Sequence, residues 1–170
     1  MIRLFTLVLF LLMSSAPEAQ TARVPMNELI DYEAFARSVE EVKALRESRR
    51  VSEADFMRMA REPGTVIVDA RSERLFRLRH VAGAVNLSFP EFTEATLARI
   101  IPTRETRILI YCNNNFTGAP ESLPVKAVAS ALNLSTFVSL HVYGYRNVYE
   151  LGPAINVARS KLAFQGEEMR

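Results

Sequence analysis

The chain has one cysteine, Cys112, in the stretch "LIYCNNNFTG" over residues 109–118. An apolar run ends on it. Three asparagines, Asn113, Asn114 and Asn115, follow at once, with Thr117 and Gly118 beyond. A thiol at the end of a buried strand either packs as a small apolar residue or, where dipoles and cations favour the thiolate, acts as a nucleophile. The asparagines divide in the same way. Their amides and tight turns can present donors to an anion, and Asn is also common in turns that bind nothing. A second apolar run, "TVIVDA", ends on Asp69 with Arg71 two places on, and "HVAGAVN" follows with His80, Gly83 and Asn86. One thiol cannot form an intramolecular disulfide. One cysteine and two histidines without clustered spacing give no reason to expect a metal site, and no cofactor is expected.

These residues need a scaffold. With 170 residues, 49% hydrophobic and 24% charged, the chain is long enough for one domain and an appendage. The 21 Lys and Arg nearly balance 19 Asp and Glu, so there is no polyelectrolyte face for a nucleic-acid or membrane-surface partner. Arg3 stands before the apolar run Leu4–Met13, and small residues follow, which is the build of a secretory signal peptide. Cleavage is expected after Ala19, with Ala22 as the alternative. The run is too short to span a bilayer comfortably, so no stable membrane span is expected once the leader is removed. An uncleaved anchor would hold the same domain outside the cytosol. Either way the protein is expected to be exported, periplasmic or secreted.

Leu29, Tyr32, Phe35, Val39, Val42 and Leu45 recur at helical spacing. A second helix is expected from Ser52, whose hydroxyl can cap "EADFMRMARE", with Pro63-Gly64 ending it. Beyond it the periodicity predicts strands in "TVIVDA", "GAVNLSF", "RILIYC" and "STFVSLHV". Helices are expected in "PEFTEATLARI" and in "PVKAVASALN", the latter with Val125, Val128 and Leu132 on one face and Asn133 as its C-cap. Such alternation predicts an α/β fold: a central, mostly parallel sheet covered by helices on both faces. Ligands of such sheets gather at the carboxyl ends of strands, where Asp69, Arg71 and Cys112 would meet.

The ordered segments "VIVDARS", "HVAGAVNLSF" and "ILIYC" resemble the rhodanese domain from Thr65 to Gly152. The resemblance implies a three-layer α/β domain over 64–153. Before it stand a signal peptide over 1–19 and an N-terminal helical extension over 20–63; a C-terminal tail over 154–170 follows. It implies Asp69, His80, Gly83 and Asn86 as signature residues and Cys112 as the carrier of a persulfide. Active relatives move sulfane sulfur from donors such as thiosulfate to thiophilic acceptors, so a small sulfur donor or thiol acceptor is the implied partner; no protein partner is indicated. Such a carrier must persist as thiolate near neutral pH, helped by loop amides and a helix N-terminus.

This chain departs from the family in the loop. Active relatives close a short loop from Cys to an Arg, but here no Arg or Lys follows Cys112 until Lys126. The loop is also longer. Phosphatase relatives need that Arg as well, to bind phosphate. Arg71 is the first candidate for the missing cation, expected to be tied either to Asp69 or to the site, and Asn113, Asn114, Asn115, Thr117 and Gly118 are the candidate anion-binding loop. Lys126 is expected in a first helical turn. Arg74, Arg77 and Arg79 read as solvated, His80 as a local hydrogen-bonding group, and His141 as a late residue of the last strand. Tyr143, Tyr145 and Tyr149 read as packing, with Tyr149 in the place of a family aromatic. The sequence thus supports a sulfurtransferase with Cys112 as nucleophile, against a rival in which the remodelled loop makes a non-catalytic binding or redox-sensing module.

Overall fold

A computed structural model describes residues 27–169; the leader and its cleavage site lie outside them. The fold from residue 32 onward starts with α1 (Tyr32–Arg49), β1 (Arg50–Val51), α2 (Glu53–Ala60), β2 (Val66–Asp69) and α3 (Glu73–Leu78). Next come β3 (His80–Val81), β4 (Ala84–Asn86), α4 (Glu94–Ile100), β5 (Ile108–Tyr111) and β6 (Phe116–Thr117). The chain then forms α5 (Leu132–Val142), β7 (Val148–Leu151), β8 (Ile155–Asn156) and β9 (Phe164–Gln165).

Five strands form one sheet in the order β1-β7-β5-β2-β4, and every pairing in it is parallel. All four residues of the middle strand β5 are buried, as a parallel sheet covered on both faces requires. Successive side chains point to opposite faces. Ile108 and Ile110 therefore join Val42, Leu97 and Phe137 on one side, while Leu109 and Tyr111 join Phe56, Met59 and Phe116 on the other. Helices α1, α4 and α5 supply the first layer and α2 the second.

Local chemistry starts α2 at Ser52, where it was expected, and α4 at Thr93, past the Pro90 region where the helix was expected to begin. The Ser52 hydroxyl accepts the Asp55 amide at 3.1 Å, and Thr93 and Thr96 cap α4 reciprocally. In α1, Val42 is buried and Val39 and Leu45 pack on the core, whereas Tyr32 and Phe35 are exposed.

The structure corrects the reading of residues 124–142. "STFVSLHV" is not a strand but the body of α5, and "PVKAVASALN" is a loop with a single 3₁₀ turn over Val128–Ser130, except that its last two residues, Leu132 and Asn133, open α5. Asn133 stands in the first turn of α5 and is not a C-cap, and Val125 and Val128 are exposed. The β-branched and aromatic residues of "STFV" mimic a strand. The buried residues Asn133, Thr136, Phe137 and Leu140 nevertheless fall at helical spacing. The strand that β5 needs on that side is "VYEL", β7, after the turn at Gly144, whose φ is +86°. His141 therefore lies on α5, with Nε2 3.1 Å from Glu41. The C-terminal segment is packed as well: β9 pairs antiparallel with β3, and β8 pairs parallel with β6.

Glu150 of β7 is the one buried carboxylate that ties α1 to the sheet, accepting from Arg46 at 2.6 Å. Burial raises its pKa above the ordinary carboxylate value, and Arg46 pulls it back only in part. A carboxyl whose folded pKa is raised favours folding below its unfolded pKa, near 4.5, and that contribution is lost as pH rises through the folded value. Arg46→Met, which strands the carboxylate, is expected to cost about 3 kcal/mol at pH 7. The cost should shrink towards pH 4, where Glu150 is mostly protonated in both states. Urea unfolding at the two pH values checks this, and an equal loss at both would reject the ion pair as its source.

Candidate functional site

The register sets Asp69, at the end of β2, opposite Asn86 of β4 and Tyr111 of β5. Asp69 is fully buried and Arg71 is 2% exposed, so their charges must satisfy each other. Arg71 Nη2 donates to Asp69 Oδ2 at 2.6 Å and Nε to Oδ1 at 2.9 Å. The remaining guanidinium donors reach backbone carbonyls: Nη2 that of Arg79 at 2.7 Å and Nη1 that of Ser122 at 2.9 Å. Burial works against the Arg71 charge, but Asp69 outweighs it and the net shift is upward. Tyr111 donates its hydroxyl to Asp69 at 2.5 Å and accepts the Val81 amide at 3.0 Å. Burial, reinforced by the Asp69 charge, holds that hydroxyl well above the ordinary tyrosine range, so it stays a donor. Asn86 completes the floor, donating to the carbonyls of Asp69 and Arg71, both at 2.9 Å.

Cys112 directly follows β5 and is 2% exposed. The three asparagines after it form a 3₁₀ turn with three separate tasks. Asn115 is a clip: its Oδ1 accepts the Cys112 amide at 2.9 Å and Asn133 Nδ2 at 3.1 Å, while its Nδ2 donates to the Leu151 carbonyl at 2.7 Å. Asn114 is a clamp on a distant residue, donating to the Lys126 carbonyl at 2.8 Å and accepting the Lys126 amide at 3.0 Å. Asn113 is 1% exposed, and neither of its side-chain polar atoms has a partner among the described residues.

Asn113 opens onto a cavity of about 290 Å³ that Arg71, Ser72, Ser88, Lys126 and Leu132 also line. Leu132 is the first residue of α5, and the preceding Ala131 has no side chain to cap it. The N-terminal end of α5, which favours negative charge, thus adjoins the cavity through Leu132. This arrangement can hold a small anion beside the residue that follows Cys112.

The other candidates lie elsewhere. Thr117 and Gly118 belong to the β6–β8 pairing and its turn, not to the cavity; Thr117 pairs with Asn156, and Gly118 holds φ +87° against the Asn156 side chain. Their backbones meet the C-terminal segment, which no sequence period announced. Arg71 lines the cavity, but its charge is matched by Asp69. His80 stacks on Phe76 at 3.8 Å and bonds the Phe76 carbonyl at 2.7 Å, and Gly83 turns the chain between β3 and β4 at φ +83°. Arg77 pairs with Glu73 and Glu167, and Arg79 with Glu168. Tyr145 and Tyr149 pack under Arg104 and Arg49, both at 4.5 Å. Tyr111 went unsuspected, although its step along a strand paired with "VIVD" puts it level with Asp69. Lys126 is held by a loop clamp and not by a helical turn.

Asp69→Asn keeps the shape but leaves Arg71 buried without its counter-ion, and is expected to cost about 4 kcal/mol. Tyr111→Phe removes two hydrogen bonds, to Asp69 and from the Val81 amide, but leaves the ion pair in place, and is expected to cost about 2 kcal/mol. Chemical denaturation of both variants checks the order; equal losses would show that the carboxylate is not what the arginine depends on.

The rhodanese-like domain family model matches residues 52–152. Among solved structures the chain is similar to the BH2092 protein from Bacillus halodurans, 21% identical over 72% of this chain and 75% of that one, with a TM-score of 0.46. The rhodanese-like domain of an Anabaena protein is 17% identical over 71% and 81%, with a TM-score of 0.49. A rhodanese with anions from E. coli is 18% identical over 61% and 99%, with a TM-score of 0.41. No curated protein sequence matches. With the family model spanning more than half of its length and a parallel five-stranded sheet ending on Asp69, Arg71 and Cys112, the chain belongs to the rhodanese-like domain family.

Proposed function

We propose that this is an exported protein whose Cys112 accepts sulfane sulfur and carries it as a persulfide. The place of the thiol carries the reading. Cys112 ends the central strand of a rhodanese-like sheet, and the next residue, Asn113, lines a cavity with cationic and amide donors. With thiosulfate the thiolate attacks the outer sulfur. An S–S bond forms to Cys112, the S–S bond of the donor breaks, and sulfite leaves with the bonding pair. A thiol or other soft nucleophile then takes the outer sulfur and returns the Cys112 thiolate. Export is supported by the leader-like run after Arg3.

The intact mass of the mature protein is expected to rise by one sulfur atom after thiosulfate and to fall back with reductant. Cys112→Ser should show no gain; retained loading in that variant would sink the assignment. The same mass, on protein recovered outside the cytosol, should begin at Gln20.

The near-complete burial of Cys112 and the pairing of Arg71 with Asp69 favour a second reading, a binding or redox-sensing module. It requires a thiol reagent to label Cys112 in the folded protein far more slowly than in urea, together with no sulfur gain from any sulfane donor.

A further inference from the structure

The C-terminal segment lies beyond the matched family domain, yet it meets the candidate site through one carboxylate oxygen. Glu168 Oε2 accepts from the Ser122 hydroxyl at 2.7 Å and from Arg79 Nε at 3.2 Å. Ser122 and Arg79 are the two residues whose backbone carbonyls hold the Arg71 guanidinium. A single oxygen therefore ties together both outer supports of the buried ion pair, one on the loop that follows Cys112 and one between α3 and β3. The approach is built in. Gly166 takes φ +134°, and a Cβ there would overlap the Leu78 carbonyl, so only glycine lets the chain pass close enough to deliver Glu168. Phe164 packs edge-on to Phe116 of the cysteine loop at 5.3 Å, and Arg79 lies over its ring at 5.8 Å. Leu162 is buried and anchors the start of the segment. Beyond it the hold is slight, since β9 pairs with β3 over two residues only and Gln165, Glu167 and Met169 are exposed. Segments with so few buried contacts open locally, without unfolding the core.

We propose that residues 163–169 are a strap that governs access to Cys112, and that Glu168 is its positioning residue. With Glu168 engaged, Ser122 and Arg79 are held to one carboxylate, their carbonyls grip Arg71 from two sides, and the thiol stays 2% exposed. With Glu168 released, the two carbonyls lose their common tie and Arg71 keeps only Asp69. The loop then opens from the end that carries Ser122, and solvent reaches Cys112. The strap sets how often that happens, whichever chemistry the thiol performs.

Two probes on the mature protein test this, and neither needs a sulfur donor, so a failure of sulfur carriage leaves the test intact. The first is hydrogen exchange of the Arg71 Nε–H, read by NMR. The second is the rate at which iodoacetamide labels Cys112 in the folded protein. Glu168→Ala is expected to speed both about tenfold, through the loss of hydrogen bonds to a charged group, and by the same factor, because one local opening exposes both groups. Glu168→Gln keeps an acceptor for the Ser122 hydroxyl and should give a smaller rise. Gly166→Ala leaves Glu168, Ser122 and Arg79 themselves unchanged, yet should match Glu168→Ala. Arg46→Met is the contrast. It weakens the fold at the Arg46–Glu150 pair, on the other face of the sheet, and should leave both rates as they are, because the strap opens without breaking that pair. A rise in Arg46→Met equal to that in Glu168→Ala would mean that the thiol is reached only by unfolding of the whole domain, and would overturn the proposal. Unchanged labelling of Cys112 in Glu168→Ala or in Gly166→Ala would overturn it as well.

Discussion

The buried pair of Asp69 and Arg71 is the interaction on which the geometry of this site depends. Two charges taken from water are tolerable only if every lone pair and N–H finds a partner. Here those partners come from β2 itself, from Tyr111 at the end of β5, and from carbonyls of the segments holding Arg79 and Ser122. One ion pair therefore locks two adjacent strand ends and two loops to a common floor. Four of the five guanidinium N–H groups are taken up in this way and Asp69 matches the charge, which leaves Arg71 little to offer a ligand. An arginine that makes these bonds is a structural bolt, and a cation for the cavity has to arrive by another route.

That route is the lengthened loop. A long connection carries backbone polar groups that must be satisfied and entropy that must be offset. This one is held by a small core of its own. Phe116 is fully buried, edge-on to Tyr111 at 5.9 Å and to Phe164 at 5.3 Å, and Leu123 and Ser122 are buried with it. Asn115 and Asn114 then do with side chains what a tight loop does with its backbone. One fixes the turn after Cys112 and the start of α5; the other fixes Lys126. The C-terminal segment takes part as well, since Glu168 accepts from the Ser122 hydroxyl at 2.7 Å. The site is thus closed by residues far apart in sequence.

The strands that form the floor were legible because each is a short apolar run ending in a polar residue, and a parallel sheet turns such ends into one rim. The Ser52 cap was legible because capping is local chemistry; the Thr93 cap of α4 was masked by Pro90, which sits in a separate 3₁₀ turn just before it. What was not legible follows from tertiary context. In α5 the β-branched content of "STFV" outweighed a helical spacing that only burial makes meaningful. Arg71 reads from sequence as tied either to Asp69 or to the site, and only the burial of both groups in the fold decides for Asp69. The triplet of asparagines reads as one feature, yet its members face three directions, since a 3₁₀ turn rotates each residue by about a third of a circle. Lys126 and Asn114 stand twelve places apart, and no periodicity links them.

Exposure alone does not separate a working thiol from a packed one. Cys112 is as buried as the leucines around it, and a core cysteine would look the same. The neighbours differ from those of a core. If the end of β5 served packing alone, an apolar residue at position 113 would fit better than an amide stripped of water and left without partners, because burying such a group costs about 1–3 kcal/mol. The chain bears that cost at the residue after its only thiol, beside the one lysine that its own loop clamps in place. The amide there is a hydrogen-bonding group left uncompleted among the described residues, and such a local cost is characteristic of functional sites. Sulfur transfer and anion recognition both need such a group; a purely structural domain does not.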